Sequence, residues 1–270
     1  MPHPDTENFN IFAAAIAATG GACAFDGEGS VKCVRAMLDV IRDMGLDPNQ
    51  TTDLKKGLYS LFNIVIVNAP DFDSSRYILS PNHVSDFDAL ILGLLHPKIR
   101  IVSKAEWTEN AKLKPFLDLH YDLYGLDRTS LMSLRRLLKD SVSYFNDSDE
   151  NRHFLVFSQG TISDFNNNSP ERVSPIAPKL SDKTGVPIVC VFVEQVSLDH
   201  PTRIVFDSAM AYASKDDFRA VWLEREATLQ NSLSPPARRP LLTFKHTHNN
   251  KPGDPFFEAK QKRAGRRKKK

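Results

Sequence analysis

Cysteine is scarce in this 270-residue chain, which holds Cys23, Cys33 and Cys190 and no C-x-x-C spacing. Three cysteines cannot build a disulfide framework, and without C-x-x-C a cysteine zinc site is not expected. His246-Thr247-His248 offers two possible ligands, but no third ligand is visible, so we expect no metal. Reduced thiols and a cytoplasmic location fit this composition best.

Long apolar runs are also lacking. The longest uncharged stretch near the start, residues 9–25, is rich in Ala and Gly and contains Asn10 and Thr19. A membrane span needs about 20 strongly apolar residues, and a secretory signal needs a basic start, whereas Asp5 and Glu7 precede this stretch. We expect a buried or surface-lying helix there, in a protein that is soluble or peripheral to a membrane.

The body of the chain has no excess of positive charge. The net charge is +2, but eight basic and no acidic residues fall in positions 260–270. The remaining 27 basic and 33 acidic residues leave a net charge of −6, which argues against a nucleic-acid-binding domain. The tail is suited to an anionic membrane surface, where each basic residue contributes ~1 kcal/mol. A solvated disordered end and a nucleic-acid-binding appendage are the alternatives for the tail alone.

What the chain does contain is an ordinary globular composition, 41% hydrophobic and 25% charged, with alternating strand and helix patterns. Their order predicts an α/β fold with a mixed, largely parallel sheet flanked by helices. The predicted strands are 64–67, 76–80, 99–103, 154–157, 187–193 and 203–206, and the apolar run 64–67 is expected to be buried. The predicted helices are 31–44, 53–62, 86–95, 106–120, 130–145, 176–184 and 215–231.

Three segments follow from these patterns. Residues 1–75 are predicted to form an N-terminal helical cap or membrane-docking region. Residues 76–233 hold the alternating pattern and the site candidates. Residues 234–270 begin after a proline pair and end in the lysine run, which predicts a flexible basic tail.

One strand-to-helix junction is the best site candidate. Asn82 and His83 follow a predicted strand, and Asp88 lies in the first turn of the next helix. Open α/β sheets place their sites at such carboxyl strand ends. Histidine is suited to act as a general base near neutral pH, and a carboxylate beside it can fix its tautomer. The competing interpretation is structural, because Ser85-x-x-Asp88 also matches a helix capping box.

Further blocks follow this junction in order along the chain. They are Ser103-Lys104-Ala105-Glu106-Trp107, Tyr124-Gly125-Leu126-Asp127-Arg128, Phe157-Ser158-Gln159-Gly160-Thr161-Ile162-Ser163 and Gly185-Val186-Pro187-Ile188-Val189-Cys190-Val191. Together with Asn82-His83-x4-Asp88, these blocks resemble the motifs of the glycerolipid acyltransferases of the lysophosphatidic acid acyltransferase (PlsC-like) family. The resemblance covers residues 76 to about 231.

The resemblance implies an O-acyltransferase of phospholipid biosynthesis. A fatty acyl group would pass from acyl-CoA or acyl-carrier protein to a hydroxyl of a lysophosphatidic acid-like acceptor, with no other cofactor. His83 would be the general base and Asp88 its partner. The substrate-binding residues it implies are Asn82, Lys104, Arg128, Gln159, Gly160 and Thr161. An enzyme of this kind is expected in the cytoplasm, on the inner face of a membrane.

The third block departs from the family pattern. Gln159 stands where the family usually has Glu, and Ile162 stands where it usually has the Arg credited with binding the acceptor phosphate. Losing such a charged contact costs roughly 2–5 kcal/mol unless another cation replaces it. Lys104, Arg128 and Lys179 are the replacements this sequence offers. A different lysophospholipid or a glycolipid acceptor, and a non-catalytic lipid-binding role, therefore stay open as alternatives.

Overall fold

The fold is built on one seven-stranded sheet, seen in a computed structural model that describes residues 28–84, 87–146, 151–159, 173–194, 201–210 and 214–232. The helices are α1 (Glu28–Asp43), α2 (Thr51–Leu61), α3 (Asp88–Gly93), α4 (Ala105–Thr108), α5 (Lys114–His120), α6 (Leu131–Asn146), α7 (Ile176–Thr184) and α8 (Lys215–Ser232). The strands are β1 (Ile64–Val67), β2 (Tyr77–Pro81), β3 (Ile99–Lys104), β4 (Asp122–Leu126), β5 (His153–Leu155), β6 (Ile188–Val193) and β7 (Thr202–Phe206).

The strands lie in the order β1-β7-β6-β2-β5-β3-β4. The five from β6 to β4 run parallel, whereas β7 is antiparallel to β6 and β1 is parallel to β7. This mixed, largely parallel sheet confirms the predicted fold class. The carboxyl ends of β2, β5, β3 and β4 therefore meet at one edge, where the candidate site lies.

Both faces of the sheet are covered, because neighbouring residues along each strand face opposite sides. Leu79, Leu155 and Val189 belong to a core cluster shared with α1, α2, α3 and α5. The alternate residues Ile78 and Phe154 belong to a second cluster, shared with α6, α7 and α8. Strands buried on both faces explain the nearly continuous apolar runs that predicted them.

Strand β4 was missing from the sequence prediction. It holds Asp122 and Gly125, both unfavourable in strands, and lies at the edge of the sheet beside β3. Pairing with β3 and the ion pair between Arg100 Nε and Asp122 Oδ2, 2.9 Å apart, compensate for the weak local preference. The Arg100 guanidinium also lies 4.0 Å from the centre of the Tyr144 ring, a stabilising cation–π contact.

Three further expectations need correction. Strand β1 is an edge strand of mostly intermediate exposure with Val65 exposed, whereas we expected a buried one. The helical segment 106–120 is two short helices, because a turn at 109–113 ends α4 before α5 begins with Pro115 in its first turn. Cys33 is disulfide-bonded, so the expected reduced thiols are wrong for this residue. Three cysteines exclude a framework but leave room for one bridge, and Cys190 is buried and forms no disulfide.

The predicted segments 1–75, 76–233 and 234–270 stay a prediction. Strand β1 and helices α1 and α2, which precede residue 76, contribute to the same sheet and core as the rest. The stretch 9–25 and the basic tail lie outside the described residues. In the part of the chain that the structure describes, no helix is both long and apolar enough to cross a membrane.

Candidate active site

The site begins where β2 ends and the chain turns into α3. The main-chain N–H of Asn82 donates to Val191 O at 3.1 Å, as the next rung of the β2–β6 ladder would. Its side chain extends the pairing, since Nδ2 donates to Val193 O at 3.0 Å and Oδ1 accepts from Val193 N–H at 2.7 Å. Asn82 is fully buried. It therefore fixes the start of the His83 loop on β6, and its predicted contact with substrate stays a prediction.

His83 and Asp88 lie in contact, because His83 precedes α3 and Asp88 is the first residue of that helix. His83 Nδ1 lies 3.2 Å from Asp88 Oδ2, and the same oxygen accepts the main-chain N–H of Val84 at 2.7 Å. Asp88 is 1% exposed, so its carboxylate is held in one place. An Nδ1–H that donates to a carboxylate leaves Nε2 as the basic nitrogen of the imidazole.

In the structure, Asp88 accepts a backbone N–H from the loop before α3. Helix α3 begins at Asp88, and its N-cap residue, Phe87, makes no side-chain capping hydrogen bond. The Asp88 carboxylate instead receives the N–H of Val84 in the preceding loop. One oxygen thus organises both the loop backbone and the imidazole, while Ser85 lies outside the described residues.

The imidazole of His83 packs on Phe157, which follows β5, with ring centres 4.2 Å apart. Its side chain is 14% exposed, and Asp88 is nearly covered. Below this layer, Ser80 and Ser158 share a hydrogen bond between their hydroxyl groups, and Trp222 Nε1 of α8 donates to Ser80 O at 3.4 Å. The ends of β2 and β5 are therefore fixed to each other and to α8.

Gln159 connects the histidine loop to α8. Its Oε1 accepts the main-chain N–H of His83 at 2.8 Å, and its Nε2 donates to Glu226 Oε1 at 3.2 Å. Gln159 is 8% exposed and Glu226 is 1% exposed. Burial raises the pKa of Glu226 to about 7, although the hydrogen bond from Gln159 opposes part of this shift.

Sequence reasoning missed Glu226, although the chain carries a signal for it. Phe218, Trp222, Glu226 and Leu229 recur at spacings of four, four and three residues along α8, and all four are buried. Such spacing marks the core-facing side of a helix. A glutamate on that side needs a buried partner, and here the partner is Gln159.

The remaining predicted residues lie farther along the same edge or outside the described ranges. Lys104 is the last residue of β3, and Arg128 follows β4 and is exposed. Strands lie about 4.8 Å apart, so the ends of β3 and β4 are roughly 10 and 14 Å from the end of β2. Gly160 and Thr161 lie outside the described residues.

The described ranges contain no cluster of three His, Cys, Asp or Glu side chains arranged to hold a metal ion. The arrangement around His83 is suited to proton transfer by an oriented imidazole. A carboxylate fixes its tautomer, and an aromatic ring covers one face.

Comparison with protein-family models and with curated protein sequences gives no match. Among solved structures, the chain is similar to the crystal structure of the 1-acyl-sn-glycerophosphate (LPA) acyltransferase PlsC from Thermotoga maritima. The sequences are 16% identical, the TM-score is 0.50, and the match covers 85% of this chain and 98% of that chain. The two proteins share a fold. At this identity the likeness bears on architecture alone.

Proposed function

We propose that this protein is an O-acyltransferase that moves a fatty acyl group from a thioester donor to a hydroxyl of a lysophosphatidic acid-like glycerolipid. The observation that carries the proposal is the contact between His83 Nδ1 and Asp88 Oδ2. It lies at the carboxyl edge of the parallel strands, in a fold shared with an LPA acyltransferase. The ordered sequence blocks from Asn82 to Val191 support the same reaction.

In this proposal His83 is the general base. Its Nε2 takes the proton of the acceptor hydroxyl while the hydroxyl oxygen attacks the thioester carbonyl carbon. The tetrahedral intermediate then expels the thiolate as the C–S bond breaks, and the protonated imidazole returns the proton to sulfur. Asp88 stabilises the imidazolium between these two transfers. The reaction consumes one ester-forming hydroxyl and releases one thiol, with acyl-CoA or acyl-carrier protein as donor.

The other predicted residues are proposed to bind the negative charges of the substrate, on the oxyanion and on the acceptor phosphate. Main-chain amides at Gly160 and Thr161 are proposed to bind the oxyanion, since preorganised donors stabilise that charge strongly. Arg128 is proposed to bind the acceptor phosphate, because guanidinium binds phosphate through two donors. Lys104 is the second cation on the same edge. To serve a substrate at His83, Lys104 must extend across β5, and Arg128 must extend across β3 and β5.

Ile162 supports an acceptor other than simple lysophosphatidic acid as the second candidate. An aliphatic side chain in the third block cannot bind phosphate, so an acceptor with a masked phosphate or a sugar headgroup would place less demand on this block. A non-catalytic lipid-binding role is the remaining alternative, and it predicts that His83 is dispensable.

A membrane surface is the proposed partner that supplies the acceptor. Besides the tail at 260–270, one turn of α6 is suited to this contact. Leu131 and Met132 are 57% and 68% exposed at its start, and Arg135 and Arg136 follow on the same exposed side. Helix α6 follows the carboxyl end of β4, so this patch lies at the same edge of the sheet as His83.

Acyl transfer by the purified protein, read by mass spectrometry, tests the proposed function. Donors are acyl-CoA and acyl-carrier protein, and acceptors are lysophosphatidic acid, glycerol 3-phosphate, other lysophospholipids and glycolipids. A new ester that disappears in His83→Ala establishes the reaction and names the acceptor. No ester with any pair, from a folded protein, would favour lipid binding without turnover.

Sedimentation with anionic vesicles tests the membrane contact. We expect weaker binding for Leu131→Asn with Met132→Asn, and for the chain lacking 260–270, with the second effect fading as salt rises. Leu119→Asn is the matched control, because Leu119 is 55% exposed at the end of α5, before β4, on the opposite edge. Equal losses in all variants would argue against a specific docking edge.

A further inference from the structure

Glu226 is a buried carboxyl group whose position the proposed chemistry does not require. Oε1 accepts the hydrogen bond from Gln159 at 3.2 Å. Oε2 meets no hydrogen-bond partner among the described residues, although it is fully covered. A carboxyl group buried with one oxygen unsatisfied costs free energy. A role at the site explains why an apolar helix face would carry it.

The Gln159 amide can point only one way between its two partners. The main-chain N–H of His83 is a donor, so Oε1 must face it, and Nε2 is then directed at Glu226. A carboxylate only accepts hydrogen bonds, which suits that direction. Glu226 therefore stabilises the same amide orientation that supplies an acceptor to the His83 backbone.

We propose that Glu226 is a positioning residue of the site, which acts through Gln159 to hold the main chain of His83. With the backbone fixed on one side by Gln159 and the Val84 N–H fixed by Asp88, the imidazole keeps its place against Asp88 and Phe157. Its effect on turnover rests on the proposed function, whereas the hydrogen-bond chain from α8 to His83 does not.

The electrostatics of Glu226 agree with this role. Burial brings its pKa to about 7, and buried groups titrating near neutrality concentrate at functional sites. Its Oε1 accepts from Gln159 whether or not Oε2 carries a proton. The chain of hydrogen bonds therefore survives either protonation state.

Amide hydrogen exchange at His83 measures this chain of hydrogen bonds directly. In Glu226→Leu and in Gln159→Leu we expect the His83 amide to exchange up to about tenfold faster, as the loss of one hydrogen bond allows. The Val84 amide is the internal control, because it donates to Asp88 and not to Gln159. Glu226→Gln should retain the protection, since an amide oxygen accepts the same bond.

If Glu226→Leu fails to fold, swapping the two side chains between positions 159 and 226 tests the proposal instead. Gln159→Glu alone places two carboxyl groups face to face and should raise His83 exchange. Adding Glu226→Gln restores a donor opposite an acceptor and should restore the protection. An unprotected His83 amide in the double variant, or an unchanged one in folded Glu226→Leu, would overturn the proposal.

Steady-state kinetics distinguish a positioning role of Glu226 from a role in substrate binding. If acyl transfer is established, kcat should fall about tenfold in both Glu226→Leu and Gln159→Leu, and no further in the double variant, because both remove one chain of contacts. KM for the donor should not change. Faster His83 exchange in a protein that forms no ester would sustain the hydrogen-bond chain and refute the proposed function instead.

Discussion

His83 and His153 lie at opposite ends of two paired strands, and their surroundings differ in one respect. Both pack on aromatic rings: His83 on Phe157, and His153 on Phe72 and Tyr77. His83 faces a buried carboxylate, whereas neither ring nitrogen of His153 has a well-formed hydrogen bond among the described residues. Burial and the neighbouring His96 lower the pKa of His153 to about 4.

The contrast teaches that a partner, more than burial, decides what a histidine can do. An imidazole without a carboxylate stays neutral and serves as an aromatic core residue. An imidazole whose Nδ1 is held by Asp88 presents a directed basic nitrogen. His153, in the same sheet, is therefore an internal control for the chemistry proposed at His83.

The largest expected effect is on turnover at the His83 end. On the proposed function, His83→Ala should lower kcat by about 10³–10⁴-fold, at or near the full contribution of a general base. His153→Leu, which replaces a buried ring by an apolar group of similar volume, should keep more than half of the activity. Steady-state acyl transfer with folding checked by circular dichroism decides the matter, and an equal loss in both variants would remove the distinction.

Removal of the charge beside His83 should have the next largest effect. Asp88→Asn keeps an oxygen for the Val84 N–H but loses the carboxylate that stabilises the imidazolium, so we expect kcat to fall by about 10²–10³-fold. Asp73→Asn is the control, since Asp73 faces His96 at the other end, with its side chain 88% exposed. A wild-type kcat in Asp88→Asn would contradict the base assignment.

At the His153 end the expected effect is on stability against acid. A folded-state pKa of about 4 lies below the unfolded value of about 6.5, so the unfolded chain binds more protons between these values. This contribution is present above pH 6.5 and lost as the pH falls to 4, by about 3 kcal/mol in all. Glu226 opposes the trend in part, because its folded pKa is raised.

Denaturant unfolding of the wild type and of His153→Leu is measured from pH 7 to pH 4. Since Glu226 is present in both, the difference isolates the contribution of His153 to the pH dependence of stability. The variant should gain stability relative to the wild type as the pH falls. A constant difference across this range would show that His153 does not titrate in this window.

The smallest effect should come from His96. Its ring lies edge-on to His153 with centres 5.1 Å apart, and its charge disfavours protonation of His153. His96→Asn should therefore move the acid transition of the protein slightly, by less than one pH unit, and leave kcat unaffected. The same unfolding measurements from pH 7 to pH 4 give this shift of the acid transition. A shift as large as that of His153→Leu would contradict the expectation that His96 has the smaller effect.

The sequence was sufficient for the features that depend on local pattern. The strand before Asn82 and the helix after it follow from apolar runs, and a junction with His83 before the helix and Asp88 in its first turn allows the two side chains to meet. Strand β4 could not be found this way, because its stability comes from β3 and the Arg100–Asp122 ion pair. Glu226 and Gln159 are 67 residues apart, so only the packing of α8 against the end of β5 brings them together.

The side-chain bonds of Asn82 have a consequence for local unfolding. They join the His83 loop to Val193, the last residue of β6, by the same kind of rung that joins two strands. The loop and the end of β6 therefore belong to one cooperative unit of opening. Fluctuations that fray β6 will release the histidine loop as well, so the lifetime of the aligned imidazole is tied to a strand that contributes no residue to the chemistry.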